Sequence, residues 1–343
     1  MSSSLQTIKQ KRIAVFKANK RGHYSAWIFL FLFVFTLFSE FIANEKPLLV
    51  SYKNEFYSPV FKIYSEVTFG GEFESEADYK DEYVQELINE NGYAIWPPIR
   101  YSYHTIKTDS ELAFPSAPSL ENLLGTDDQG RDVLARLMYG FRISVLFGLT
   151  LTIFSSIIGV MVGAIQGYYG GKIDLIGQRF IEIWGGLPTL FLLLILVNYI
   201  QPTFWWLLGL LLLFSWTSLV GVVRAEFLRA RNFEYVKAAK ALGQSDKKII
   251  IKHILPNALI STVTFMPFLL TGSITTLTSL DFLGFGLPAG SPSLGELLAQ
   301  GKTNLHAPWL GISAFMVLSV LLTLLIFVGE AIRDALDPRI AQQ

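Results

Sequence analysis

Six segments of about twenty mostly apolar residues constrain the fold of this chain more than any other feature. Each segment is long enough to cross, as a helix, the roughly 30 Å hydrocarbon core of a bilayer. Only 16% of the 343 residues are charged, whereas soluble domains contain about 25%. The composition therefore favours membrane spans over a large soluble core. The predicted spans are residues 25–43, 143–165, 181–200, 204–223, 258–280 and 309–329.

The distribution of lysine and arginine predicts how these spans are oriented. Residues 1–24 contain six Lys or Arg and no acid, whereas residues 44–142 contain nine against seventeen acids. Short cytoplasmic segments are enriched in Lys and Arg, so we expect both termini and the basic loop 224–257 in the cytoplasm. Phe41 stands where signal-peptide cleavage requires a small residue, so the first span is predicted to be an uncleaved anchor.

The acidic segment after the first span is predicted to be a small folded insertion on the outer side. Its many aromatic residues make it too apolar for a disordered linker, and a helix is expected over residues 78–91. The predicted segments are a cytoplasmic N-terminus (1–24), a first transmembrane helix (25–43), a periplasmic insertion (44–122), an amphipathic segment (123–142), a five-helix core (143–330) and a cytoplasmic tail (331–343).

The loop 224–257 carries eight Lys or Arg against three acids, and its pattern predicts two short helices. Gly243 tolerates the left-handed backbone found after a helix end, Ser245 or Asp246 can cap the second helix, and Pro256 is expected to end it. The loop could lie on lipid headgroups or serve as a docking surface for another protein. The residues predicted on one face of the first helix are Tyr235, Ala238, Ala239 and Leu242.

This loop resembles the cytoplasmic signature of the permeases of ABC importers. Two small residues at 238–239, Gly243 and the Leu-Pro pair at 255–256 match that signature, although Lys237 stands where the family often has glutamate. In that family the loop forms coupling helices that fit a groove on the ATP-binding subunit. The resemblance implies ATPase-docking roles for Tyr235, Ala238, Ala239, Leu242, Gly243, Ser245, Leu255 and Pro256.

Two longer stretches narrow the resemblance. Residues 124–148 and 279–301 are similar to segments of oligopeptide and dipeptide permeases, and the likeness extends from about residue 122 to the C-terminus. The insertion and residues 167–184 resemble the Yej-type branch, which is implicated in peptide and microcin C uptake. The resemblance implies an all-α membrane protein with six transmembrane helices, the type I ABC importer permease architecture and a small extracytoplasmic insertion after the first helix.

The resemblance also implies a function and a set of partners. The chain would be one permease subunit of a peptide importer in the bacterial inner membrane, working by alternating access. Its partners would be a homologous second permease, ABC ATP-binding subunits that carry the ATP and magnesium, and a periplasmic peptide-binding protein. The alternative is an ion-coupled secondary transporter, which would need ionisable groups inside the membrane and inverted repeats.

The sequence offers no pattern of a catalytic, metal or nucleic-acid site. Lys172 follows two glycines, but the spacing and the next residue do not match a phosphate-binding loop. Cysteine is absent and the four histidines are scattered. Asp127, Asp128 and Asp132 lack the spacing of a calcium loop, and we expect Asp127 or Asp128 to cap a helix that begins near Arg131.

The predicted fifth span is unusually rich in serine and threonine. Hydroxyl groups in a membrane helix can bond back to their own backbone and support close packing, or they can line a polar path. The candidate residues for a translocation path are Thr271, Thr275, Thr276 and Thr278.

Overall fold

The computed structural model describes residues 2–107, 113–197, 199–200 and 202–337, with side chains described from residue 10 onward. Helices dominate this part of the chain. The helices are α1 (Ser2–Ala18), α2 (Lys20–Leu37), α3 (Ser39–Ile42), α4 (Glu82–Asn91), α5 (Val133–Tyr169), α6 (Gly171–Gly185), α7 (Thr189–Val197), α8 (Phe204–Ser215), α9 (Thr217–Ala230), α10 (Glu234–Ala241), α11 (Asp246–Ile249), α12 (Leu255–Phe282), α13 (Leu294–Thr303) and α14 (Pro308–Leu336). The strands are β1 (Leu49–Tyr52), β2 (Glu55–Tyr57) and β3 (Gly92–Ile95).

Four helical stretches in the described ranges are long and apolar enough to cross a membrane. A fifth candidate is the pair α6 and α7, which pass the same test together but are bent by 58°. The predicted first span falls on α2 and α3. Because α2 begins with two charged residues and ends at Leu37, α2 by itself is not among the helices of sufficient length and hydropathy. The four stretches are Val133–Tyr169, Phe204–Ala230, Asp246–Phe282 and Pro308–Leu336.

The predicted third span, 181–200, is not one straight helix. Helix α6 ends at Gly185 and α7 starts at Thr189. Glycine at 185 and 186 gives the backbone freedom to turn, and Pro188 cannot donate the hydrogen bond that would continue α6. Residue 198 of the predicted span lies outside the described residues.

The chain forms two compact units by its internal contacts. The first unit comprises Met1–Leu30, Ser144–Pro288 and Ser319–Gln343, and the second comprises Phe31–Ile143 and Ala289–Leu318. In the first unit, one core cluster joins helix α5 to α9, to the loop after α9 and to the start of α12. We call it the coupling core. Its buried residues are Ala164, Leu219, Val223, Phe227, Ala230, Val236, Ala239, Ile249, Ile254 and Ala258.

The second unit contains a three-stranded antiparallel sheet in the order β2-β1-β3. Helix α4 covers part of the predicted range 78–91, and Asp81 caps it by accepting the backbone N–H of Tyr83 at 2.9 Å. The buried residues of α4 are Val84 and Ile88, whereas Tyr83 is exposed. The sheet and α4 share a core of Val50, Tyr52, Phe69, Ala77, Tyr79, Val84 and Ile88.

A buried ionic network holds the start of α5 in the second unit. Arg136 is fully buried and donates to Glu296 at 2.8 Å, and Arg131 bonds both Asp127 at 2.7 Å and Glu296 at 3.0 Å. The cap of α5 is Asp132, which accepts the N–H of Ala135 at 2.7 Å. The prediction that Asp127 or its neighbour caps this helix is therefore wrong, because Asp127 is committed to the arginines.

Burial raises the pKa of the Asp132 carboxyl, although hydrogen bonds from the Asn122 side chain and the backbone of α5 oppose this shift. The side-chain amide of Asn122 donates to Asp132 at 2.8 Å. A capping carboxylate that is nearly inaccessible to water thus has both of its oxygens bonded, as a buried polar group requires.

Candidate functional site

Helix α10 of the basic loop has one face packed inward and one face exposed. Val236 and Ala239 are 3% and 5% exposed and belong to the coupling core. Tyr235, Ala238 and Leu242 are exposed, Leu242 by 80%. The sequence grouped Ala239 with the docking face. The structure places it in the coupling core. We call the surface of Tyr235, Ala238 and Leu242 the outer face of α10.

Gly243 ends α10 with the backbone geometry that the sequence predicts. Its φ of +76° lies in the left-handed region, and no atom outside its own neighbourhood lies within 4 Å of the place where a Cβ would stand. The Gly243 N–H donates to the Lys240 carbonyl at 3.0 Å, and the Gln244 N–H donates to the Ala239 carbonyl at 3.2 Å. These two bonds form a Schellman motif, so Gly243 is required by the backbone rather than by crowding.

The second predicted helix of the loop does not stop at Pro256. Ser245 occupies the cap position of α11 without a side-chain capping bond, and a π-helical turn (Ile250–Ile254) joins α11 to α12. Pro256 lies in the first turn of α12. A proline is tolerated there because backbone N–H groups of a first turn have no helical partner. Leu255 is half-buried and Pro256 is exposed.

Polar contacts fix the loop to the helices of the first unit. The Tyr168 hydroxyl at the end of α5 donates to Asp246 at 2.6 Å. Arg224 of α9 binds both oxygens of Asp174 in α6, with Nη2 to Oδ2 at 2.6 Å. Neither contact was predicted from the sequence, since the two residues of each pair are separated by 50 or more positions. Their meeting depends on tertiary structure.

Three glycines on one side of α5 allow α9 to approach closely, and the sequence reasoning missed them. A Cβ on Gly159, Gly163 or Gly167 would lie 2.7, 2.8 or 2.5 Å from the nearest atom of Trp216, Val220 or Phe227 respectively. Small residues four positions apart are a known signal of close helix contact in membranes. That spacing was readable in the sequence, but it does not name the partner helix.

The four candidate path threonines of α12 have different surroundings. Each hydroxyl donates to the carbonyl four residues earlier at 2.9 Å. Thr278 is buried, Thr271 is half-buried, and Thr275 and Thr276 are exposed. Of the four, Thr276 lines a cavity of about 430 Å³ in the first unit. Bonding back to the helix is therefore common to all four, and only Thr276 combines it with a cavity.

The cavity beside Thr276 is lined by apolar side chains with several hydroxyl groups among them. The Ser215 hydroxyl is buried and has no hydrogen-bond partner among the described groups. An unpaired hydroxyl group in an apolar wall can form a hydrogen bond with a polar ligand. The hydroxyl residues of the wall are Ser155, Thr189, Ser215, Ser218, Ser273 and Thr276. In the part of the chain that the structure describes, no group of three or more His, Cys, Asp or Glu could hold a metal ion.

Comparison with known proteins gives the family. Residues 137–342 match the family described as binding-protein-dependent transport system inner membrane component. The chain is 61% identical over 336 residues to the inner membrane ABC transporter permease protein YejE of Escherichia coli K12, covering 98% of both chains. It is 57% identical to the peptidoglycan transport system permease protein YejE of Agrobacterium fabrum, covering 96% of this chain and 93% of the relative.

More distant relatives match a smaller share of the chain. The oligopeptide transport system permease protein OppC of Lactococcus lactis IL1403 is 36% identical over 223 residues, which are 64% of this chain and 76% of the relative. An inward-facing structure of the MetNI methionine ABC transporter matches with a TM-score of 0.50 at 17% identity, covering 60% of this chain and 96% of that one. These matches show that the chain belongs to the family of inner membrane permease components of binding-protein-dependent ABC transport systems.

Proposed function

We propose that this chain is one of two homologous permease subunits of an ATP-driven importer of peptides. The observation that carries the proposal is the coupling core, which includes residues of the basic loop together with residues of α5, α9 and α12. The loop is thus built into the core of the spans, while the outer face of α10 is left exposed. An exposed surface on a rigidly connected loop suits a partner that supplies motion from outside.

The substrate class is inferred from the relatives. The Lactococcus relative is named for oligopeptide transport and the Agrobacterium relative for peptidoglycan transport. Peptide bonds are common to both substrates, and the hydroxyl-lined cavity can bond peptide groups without regard to side chains. We propose Thr276 as a residue of the translocation path. Thr271, Thr275 and Thr278 line no part of this cavity.

The proposed topology has six spans with both termini in the cytoplasm. In this topology, α2 with α3 forms the first span, and the bent pair of α6 and α7 forms the third. The segment with the three-stranded sheet then lies on the periplasmic side, where a peptide-binding protein delivers substrate, and the basic loop lies inside. ATP binds at partner subunits, and their closure moves the outer face of α10 as a rigid body, which opens the path to alternate sides of the membrane.

Arginine at position 238 tests the docking role. The Ala238→Arg side chain points away from the coupling core, so we expect normal membrane insertion but loss of the ATP-binding subunits on purification of the co-expressed complex, together with loss of peptide uptake. Lys240→Gln is the matched control, since residues two apart on a helix project about 160° away from each other. Retention of the ATPase and of uptake by Ala238→Arg would overturn the proposal.

A further inference from the structure

Two adjoining cavities of the first unit form a groove with one charged end and one apolar end. The charged cavity has a volume of about 660 Å³ and is lined by Arg12, Arg229 and Arg333. The apolar cavity has a volume of about 510 Å³ and is walled by side chains of α1, α2, α12 and α14. Arg12 and Leu336 line both cavities, so the two adjoin. The charged cavity also includes Tyr235 of the outer face of α10, and neither cavity shares a residue with the cavity beside Thr276.

The charged end has more cations than its acids neutralise. Arg229 is paired with Glu226 at 2.8 Å, and the other acid of the lining is Asp337. Arg12 and Arg333 form no ion pair with any side chain that the structure describes. Lys17 adds a further positive charge at the apolar cavity. Arginine binds phosphate oxygens with two parallel hydrogen bonds, so the unpaired guanidinium groups fit a phosphate.

The apolar end exposes large side chains without a protein partner. Trp27 is 60% exposed, and Ile13 and Leu30 are also exposed along the groove. The Trp27 ring meets the His23 ring edge-on at 6.5 Å, and Phe16 meets His23 at 6.0 Å, so aromatic rings line one wall. A row of exposed apolar side chains beside unpaired cations suits a ligand with an anionic head and a hydrocarbon chain.

The groove is preformed by tight contacts of the junction between α1 and α2. A Cβ on Gly22 would lie 2.1 Å from the Ala331 Cβ, so only glycine lets this junction pack on α14. The Asn19 side chain donates to Asp334 at 3.3 Å and accepts the Gly22 N–H at 3.2 Å. The walls are therefore fixed by the protein itself, so ligand binding would not cost the free energy of ordering them.

We propose that this groove binds one anionic phospholipid of the cytoplasmic leaflet, with its phosphate at Arg12 and Arg333 and an acyl chain along Phe16, Trp27 and Leu30. Basic pockets between spans on the cytoplasmic side suit such headgroups. The choice of leaflet rests on the proposed topology. Because Tyr235 lines the charged cavity and also belongs to the outer face of α10, the binding test uses the chain without an ATPase.

Quenching of tryptophan fluorescence by brominated lipids tests the site on the purified full chain in detergent. Phosphatidylglycerol and phosphatidylcholine with brominated chains are titrated separately, and the excess quenching by the anionic lipid is the signal. We expect Trp27→Phe to abolish this excess. Arg12→Gln combined with Arg333→Gln should weaken it about 30-fold, from about 1 kcal/mol for each arginine near an anionic headgroup.

Matched variants separate a lost site from a lost fold. Lys20→Gln with Arg21→Gln removes two charges from the same segment outside both cavities and should leave the excess unchanged. Arg12→Lys with Arg333→Lys keeps the charge and should retain most of it. Three results would each overturn the proposal. The first is equal quenching by the two lipids, and the second is loss of the excess quenching in the Lys20 and Arg21 variant. The third is persistence of the excess quenching in the variant that combines Arg12→Gln with Arg333→Gln. Displacement of the lipid by equimolar glycerol 3-phosphate would overturn the role of the acyl groove.

Discussion

The close contact between α5 and α9 can be tested with a pair of glycine-to-alanine substitutions. A Cβ on Gly163 of α5 would lie 2.8 Å from the Val220 carbonyl oxygen and 2.9 Å from the Val223 Cβ. A Cβ on Gly221 of α9 would meet nothing within 4 Å. Both glycines lie inside helices that are long enough to span a membrane, so the two variants differ mainly in the space around the added methyl group.

The structure gives the size of the expected effect. Ordinary van der Waals contact begins at 3.4 Å, so the Gly163→Ala methyl group is about 0.6 Å too close to a backbone atom, and the helices must move apart. Overpacking of this kind costs about 1–3 kcal/mol. Replacing glycine by alanine in a helix gains up to about 1 kcal/mol, and this gain is common to both variants. The difference in unfolding free energy between the two variants therefore measures the cost of the close contact between α5 and α9, about 1–3 kcal/mol.

Unfolding free energies of the two variants, measured by titrating detergent micelles with sodium dodecyl sulfate, provide the check. We expect Gly163→Ala to be less stable than Gly221→Ala by the stated amount. Movement of α9 should also reach the basic loop, because Phe227 near the end of α9 packs in the coupling core. ATP hydrolysis by the assembled transporter should therefore be less well coupled to uptake in Gly163→Ala. Equal stability of the two variants would refute the close-contact reasoning.

Four further outcomes follow from the geometry. Gly243→Val should cost about 1 kcal/mol or more and reduce uptake while membrane insertion, measured by membrane fractionation, is retained. Thr276→Leu should change which peptides enter in uptake assays, whereas Thr275→Leu, with the same hydroxyl bond but no cavity, should not. Arg136→Leu leaves Arg131 as the one partner of both Asp127 and Glu296 in the buried network and should lower stability by about 3–5 kcal/mol in thermal unfolding. Neutralising the exposed acidic run of the insertion should slow uptake at low salt and reduce its salt dependence if these acids attract the binding protein. The run is Glu72, Glu74, Glu76, Asp78, Asp81 and Glu82.

Long apolar periodicity and turn chemistry could be read from the sequence. Helices α5, α12 and α14 fall where apolar runs predict them, and Gly243 has the positive φ expected of a helix end. The sequence did not predict that the helix continues through Pro256. A π-helical turn precedes this proline and places it in the first turn of α12, where a proline is tolerated. A sequence pattern for a π-helical turn is too weak to compete with the strong breaking signal of proline.

The positions that sequence reasoning misjudged are those decided by burial. Asp127 has a side chain suited to capping α5, but its oxygens bind the buried guanidinium group of Arg131, and Asp132 caps the helix instead. Ala239 has the right period for the outer face of α10, yet it packs in the coupling core with residues far away in the chain. In both cases the local sequence allowed the predicted role, and the burial of the side chain decided otherwise.

The coupling core explains how one short helix can move membrane spans. Its members on the basic loop, Val236, Ala239 and Ile249, pack in the same cluster as Phe227 of α9 and Ala164 of α5. Protein interiors are close-packed, so a displacement of one member is transmitted to the others instead of being absorbed. Hydrogen bonds between Tyr168 and Asp246 and between Arg224 and Asp174 also connect these elements. Under the proposed function, a partner that pushes on the outer face of α10 would therefore act on α5, α9 and α12 together.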